Sequence, residues 1–162
     1  MGVRIAFVVF VSVLPTMVSA ILLHLNPFYV KGRVYCDPCR AGFETPATTY
    51  IVGAEVTLQC KDRMTNKIVY SEKVMTDSTG SYTIFVEANQ ANQNCDARLV
   101  TSPLPDCKEP APGRDHSRVI LNRFNGIATK DRFVNNLGFM KEEVASSCAE
   151  IFRRYREIDN GN

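Results

Sequence analysis

Only two histidines occur in the 162 residues of this chain. That scarcity works against most hydrolytic chemistry, because a Ser-His-Asp or Cys-His arrangement needs a positioned imidazole as its base. His24 lies near the chain start, and His116 sits beside Asp115 in a proline-rich stretch, where a lone loop histidine is ordinarily just solvated. A closed zinc site is short of ligands for the same reason: it wants a second CxxC or a paired-histidine motif, and neither is present. The carboxylates are scattered, with no spacing that argues for a two-carboxylate glycosidase. Charge of one sign is lacking too. The formal net charge of +2, one lower if Arg4 leaves with a leader, is too weak a field to steer nucleic acid or anionic membranes. No Asn-x-Ser/Thr sequon occurs, so N-glycosylation is not expected. No internal repeat or low-complexity block is visible. What remains is a near-neutral globular protein expected to be no enzyme, with no catalytic residue, cofactor or metal.

The first twenty residues differ in kind from the rest. Met1 to Arg4 is a short basic start, and Ile5 to Leu14 an apolar run. Pro15 breaks it, and Val18-Ser19-Ala20 supplies small residues at a cleavable position. Charged, then apolar, then small is the layout of a secretory signal peptide. A membrane anchor is the rival, since apolar residues resume at Ile21-Leu22-Leu23. A spanning helix wants about 20 continuous apolar residues, and Pro15, Thr16, Ser19 and His24 interrupt this run. The expectation is therefore a signal peptide over 1–20, cleavage after Ala20, no stable membrane insertion, and one domain over 21–162.

Six cysteines follow: Cys36, Cys39, Cys60, Cys95, Cys107 and Cys148. An even number in an exported chain reads as three disulfides, because the secretory route is oxidising. Fifteen pairings are possible, and spacing alone chooses none of them. Cys36-Asp37-Pro38-Cys39 has the spacing of a redox dithiol. Such a dithiol needs an exposed cysteine of lowered pKa where a strand enters a helix. Arg33-Val34-Tyr35 reads as strand, but Ala41 to Pro46 is a poor helix, so structural pairing is the expectation.

Elsewhere apolar and polar residues tend to alternate, which is strand periodicity. Phe28, Val30, Val34 and Cys36 share one face of a first strand, with a bulge expected at Gly32. Ala54 to Cys60 alternates strictly. Ile68 to Val74 and Tyr82 to Val86 are separated by Thr76-Asp77-Ser78-Thr79-Gly80-Ser81, all turn formers, and this predicts a hairpin. The same turn explains Asp77 to Gly80 without calcium, whose loops need alternating acids and a distal glutamate. Asn89 to Asn94 reads as a polar loop, Cys95 to Thr101 as a fifth strand, and Pro103 to Pro112 as an irregular crossing. Val119-Ile120-Leu121 is a sixth strand, and Phe133 to Phe139 a seventh. Val144, Cys148, Ile151, Phe152 and Tyr155 then recur as one face of a helix. Glu142 and Glu143 open it, and Arg153, Arg154 and Arg156 close it, complementing the helix dipole. The fold expected is mainly β: an antiparallel seven-strand barrel or sandwich stapled by three disulfides, with a C-terminal helix.

Gly32-Arg33-Val34-Tyr35-Cys36-Asp37-Pro38-Cys39-Arg40 resembles the G-x-V-Y-C-D-x-C-R motif of the olive pollen allergen and extensin-like family of plant secreted proteins. Gly32, Val34, Tyr35, Cys36, Asp37, Cys39 and Arg40 are its matched positions. Further matches follow in order. They are Gly53-Ala54 with Val56, Leu58 and Cys60; Thr76-Asp77 with Gly80 and Tyr82; Cys95 with Leu99-Val100 and Ser102-Pro103; then Asp106-Cys107. Asn136 to Met140 and Cys148 complete a resemblance spanning about residues 30–148. It implies a small β-barrel with three disulfides that pair Cys36 with Cys107, Cys39 with Cys148, and Cys60 with Cys95.

The resemblance further implies a secreted, non-enzymatic interaction protein of the extracellular space or cell wall. It would act in plant cell or pollen-tube growth, through a cell-wall or receptor-ectodomain partner, with allergenic potential. A monomer is the expectation for the chain. Two alternatives stand beside it: a small-molecule or lipid carrier using a barrel cavity, and a CxxC oxidoreductase.

Overall fold

The computed structural model describes residues 27–87, 90, 92–123 and 125–159; the expected leader lies outside them, as does part of the Asn89 to Asn94 loop. Ten strands precede one helix in these residues. They are β1 (Phe28–Asp37), β2 (Thr49–Tyr50), β3 (Glu55–Asp62), β4 (Ile68–Met75), β5 (Ser81–Val86), β6 (Gln93–Thr101), β7 (Cys107–Pro110), β8 (His116–Val119), β9 (Asp131–Phe133) and β10 (Leu137–Lys141). The helix is α1 (Cys148–Asp159). They form two sheets: a four-stranded one in the order β4-β3-β6-β8, and a six-stranded one built around β1. The molecule is therefore an open two-sheet structure, not a closed seven-strand barrel.

The four-stranded sheet follows the alternation closely. Val56, Leu58 and Cys60 of β3 point into the core, as do Cys95 and Ala97 of β6, and β3 pairs antiparallel with both β4 and β6. The six-stranded sheet is less regular. β1 is ten residues long and changes partners midway. Phe28 to Arg33 pairs antiparallel with β5, and Tyr29 to Lys31 pairs parallel with β9. Val34 to Asp37 then pairs parallel with β10, while Tyr35 and Cys36 face β2. The expectation of a wholly antiparallel arrangement fails at these two parallel ladders.

Four local expectations are also corrected. The stretch Phe133 to Phe139 is two strands, because the Val134 amide donates to the Lys31 carbonyl while the Asn135 amide turns away to the Ser117 hydroxyl. The Pro103 to Pro112 crossing contains β7, which pairs with β10, and the sixth strand runs His116–Val119 instead of Val119 to Leu121. Gly32 is not a bulge but sits in register opposite Tyr82. A Cβ there would lie 2.6 Å from the Tyr82 hydroxyl, so the glycine makes room for a buried ring. Tyr35 lies over Gly138 in the same way, with 2.6 Å to a built Cβ.

The hairpin between β4 and β5 does not form, because the two strands belong to different sheets. Thr76 decides this. Its buried hydroxyl donates to the Ile51 carbonyl at 2.6 Å and accepts the Ala54 amide at 2.9 Å, pinning the chain as it crosses between sheets. Gly80 completes the arch at φ +71°, where a Cβ would meet Tyr50 Cβ at 2.6 Å. The helix starts later than its periodicity suggests. Glu142 and Ala145 donate their amides to Asp106 and Pro38, outside any helix, and Val144 is exposed. Glu150 and Arg156 occupy the first and last turns.

Inward side chains of both sheets, among them Val30, Val34, Leu58, Ile84, Leu137 and Phe139, merge into one buried cluster. Among the described residues no helix is long and apolar enough to cross a membrane.

Candidate functional site

The motif found in the sequence occupies the end of β1 and a tight hook, residues 37–42. Pro38, with its fixed φ, favours the turn that follows the strand. Asp37 then organises it: one carboxylate oxygen accepts the Cys39 amide at 3.0 Å, and the other the Gly42 amide at 2.8 Å. The side chain is fully buried, which a carboxylate tolerates only when its oxygens are bonded. Arg40 takes a left-handed conformation, φ +52°, and reverses the chain. Its guanidinium reaches across to Glu109 on β7 as a two-pronged pair, 2.6 and 2.9 Å, and donates to the Lys141 carbonyl of β10 at 2.7 Å. The bond from Arg40 holds the Glu109 carboxyl below its ordinary range. Lys141, hydrogen-bonded to Asp106, does the same for that group.

The hook's sulfurs go to distant partners. Cys36 is bonded to Cys107 on β7, 71 residues away, and Cys39 to Cys148 at the start of α1, 109 residues away. Cys60 and Cys95 face each other across β3 and β6 and are also bonded. No cysteine is free. A CxxC oxidoreductase needs Cys36 and Cys39 bonded to each other or reactive. They are neither, and both are buried. In the chain-entropy model the Cys36–Cys107 and Cys39–Cys148 bridges each stabilise the fold by about 4 to 5 kcal/mol, and the shorter Cys60–Cys95 loop by about 3 to 4.

The remaining motif residues are structural as well. Val34 is buried in the core. The Tyr35 hydroxyl has its pKa raised, chiefly by burial. Arg33 stacks on Tyr50, 3.2 Å from the ring centroid, and donates to the Thr79 carbonyl at 2.9 Å. Glu44 adds a latch on this side, accepting from the Tyr50 hydroxyl at 2.7 Å and from Asn136 at 3.0 Å. Nothing in the local sequence around Glu44, Glu109 or Asn136 signals these partners, because each lies far along the chain from the group it meets or is one polar residue among many.

Elsewhere the candidate chemistry disperses. His116 meets Asp115 at 3.0 Å in an exposed pair. The neighbouring Ser117 hydroxyl is occupied by the Asn135 amide. Asp77 accepts from the Thr79 hydroxyl and amide and from the Ser81 amide, bonds that lower its pKa and close the arch. On α1, Arg154 pairs with Glu150 and Arg153 with Glu157 at the surface. Arg132 was not singled out by sequence reasoning, yet it is a buried arginine over the Phe28 ring, donating to the carbonyls of Ile120 and Asn122. Among the described residues no group of three or more His, Cys, Asp or Glu side chains converges as a metal site.

Comparison with known proteins agrees with the shape of this framework. The family described as "Pollen protein Ole e 1 like" matches residues 26–156, a span that takes in all six cysteines. Protein DOWNSTREAM OF FLC from Arabidopsis thaliana is 45% identical over 130 residues, covering 80% of this chain and 79% of that protein. An Olee1-like protein from Betula pendula is 39% identical over 129 residues, 78% of each chain. The crystal structure of the major plantain pollen allergen Pla l 1 is similar with a TM-score of 0.66 at 33% identity, over 75% of this chain and 99% of that one.

Proposed function

The chain belongs to the Ole e 1-like pollen protein family, and from that premise we propose that it is a secreted, non-enzymatic interaction module associated with pollen or other growing plant tissue. Its partner is an extracellular protein or a cell-wall component. The observation that carries this reading is the hook. Its two cysteines, its buried aspartate and its left-handed arginine are all committed to joining β1, β7, β10 and α1, and none is left poised for chemistry. Three buried disulfides suit an oxidising compartment, and the layout of residues 1–20 suits export to it.

The full chain, tagged at its C-terminus and expressed in plant cells, tests this directly. Non-reducing peptide mapping and N-terminal sequencing of protein from the medium and cell wall should find Ile21 first and the three bridges intact. Protein retained inside the cell with Met1 in place, or carrying free thiols at Cys36 and Cys39, overturns the reading.

A further inference from the structure

Among the strands that have a ladder on one side only, two are joined by the same arch. β4 pairs with β3 alone and β5 with β1 alone. The Thr76 to Gly80 arch joins the two, and beyond it the open edges face one another across a seam. The Tyr70 hydroxyl, donating to the Phe85 carbonyl at 3.3 Å, spans that seam. Alternate residues line a groove of about 520 Å³ there: Tyr70, Glu72 and Val74 of β4 on one side, and Thr83 and Phe85 of β5 with Glu87 just beyond it on the other. Unladdered strand edges are templates for an added extended segment.

The lining states what kind of segment would fit. Two carboxylates near the seam have cationic partners: Glu55 has Lys73, and Asp131 has Lys31. Glu72 and Glu87 have no ion-pair partner among the described residues. Both act on the Tyr70 hydroxyl, raising its pKa after the larger effect of burial, so their charges converge on the groove. Phe85 lines the same groove, about half exposed, its ring braced by Tyr29 at 5.7 Å between centroids. An aromatic face flanked by two unpaired carboxylates favours a lysine or arginine side chain by charge and by cation–π attraction. The same carboxylates repel phosphates and anionic lipid headgroups.

We propose that the β4–β5 seam binds an extended basic peptide segment of an extracellular partner. The segment's backbone lies along the open strand edges, and one of its cationic side chains lies over Phe85 between Glu72 and Glu87. The proposal rests on reading the protein as an interaction module and gives that module a surface. Charged side chains on an edge strand also serve to deter self-pairing. That bland role predicts no ligand, and the following titration separates the two.

The secreted, oxidised protein, labelled with ¹⁵N, is titrated with a blocked decapeptide of alternating arginine and valine, and separately with one of alternating glutamate and valine. The basic peptide should shift amides concentrated in residues 68–75 and 81–87 and weaken as salt rises. Its affinity should fall at least about tenfold in E72Q/E87Q, and fall again in F85A, with spectra outside the seam unchanged in both variants. Equal binding of the acidic peptide, shifts centred on α1 or elsewhere, an unaltered affinity in E72Q/E87Q, or no binding at millimolar peptide each overturn the proposal. None of those results touches the export reading, which stands or falls on the mature N-terminus and the bridges.

Discussion

The two sheets of this protein are held together in opposite ways. The four-stranded sheet is centred on long neighbours, β3 against β4 and β6, with seven or more pairs in each of those two ladders and the four-residue β8 at its edge. Its one bridge, Cys60–Cys95, links residues already directly opposite in that ladder. The six-stranded sheet is assembled around β1 from short pieces. β2 has two residues, β9 three and β7 four, and they come from places far apart in the chain. Short ladders contribute few hydrogen bonds against a large cost in chain entropy. Both long-range bridges, Cys36–Cys107 and Cys39–Cys148, lie on this side. The two long-range covalent bonds stand where the hydrogen-bond ladders are short.

The sharpest way to break that comparison is to remove one bridge from each sheet. C36A/C107A should lose about 4 to 5 kcal/mol in denaturant unfolding, and amide protection in β7 and β10 should collapse with it. C60A/C95A should lose about 3 to 4 kcal/mol while β3 and β6 keep their protection, because the ladder survives the bridge. Protection lost equally in both would show that the ladders do not explain where the bridges lie. The join between the sheets comes next. Gly80→Ala puts a Cβ 2.6 Å from Tyr50 Cβ and 3.1 Å from both the Ile51 nitrogen and the Val34 oxygen, at a φ of +71°. Backbone cannot yield as a side-chain tip can, and the expected loss is about 2 to 3 kcal/mol. Thr76→Val, similar in size, leaves the Ile51 carbonyl and the Ala54 amide without their hydroxyl and should cost about 1 to 2 kcal/mol. Thermal melts of the two variants rank them.

What the sequence made legible follows the same division. The strands that alternate, β3, β5 and β6, could be read because burial on one face imposes period two within a single segment, whereas β4 was legible from its β-branched and aromatic residues. Partners could not be read so well. The turn-rich Thr76 to Ser81 stretch carries hairpin composition, yet Thr76 commits it to crossing sheets through contacts with Ile51 and Ala54. β7 and β9 escaped notice because strands of four and three residues leave no period to detect. β9 also carries Arg132, a buried cation that hydropathy reads as surface. In the hook, the Cys-Asp-Pro-Cys spacing was visible, but spacing alone left a redox dithiol and a structural clamp both open. Glu109 and Lys141, which complete the clamp on Arg40, lie 69 and 101 residues further along. Their part in it depends on the fold itself.

Acid offers the gentlest test. Arg40 lowers the Glu109 pKa, and Lys141 lowers that of Asp106, both from ordinary values near 4. A carboxylate whose folded pKa lies below its unfolded one stabilises the fold above the unfolded value, and that stabilisation is lost as pH falls through the folded value. Both pairs are exposed and therefore screened, so the effect is small and best read locally. Hydrogen exchange in β7 and β10, corrected for intrinsic pH dependence, should accelerate as pH drops below about 4. Arg40→Gln should remove part of that acid response and leave the rest to Asp106. The Asp62 carboxyl, also lowered, accepts from Met64 and Thr65 within its own turn, so its protonation should loosen that turn and not the β3–β6 ladder. If β3 and β6 lose protection on the acid side as early as β7 and β10 do, the ion pairs at the hook are not what distinguishes the two sheets.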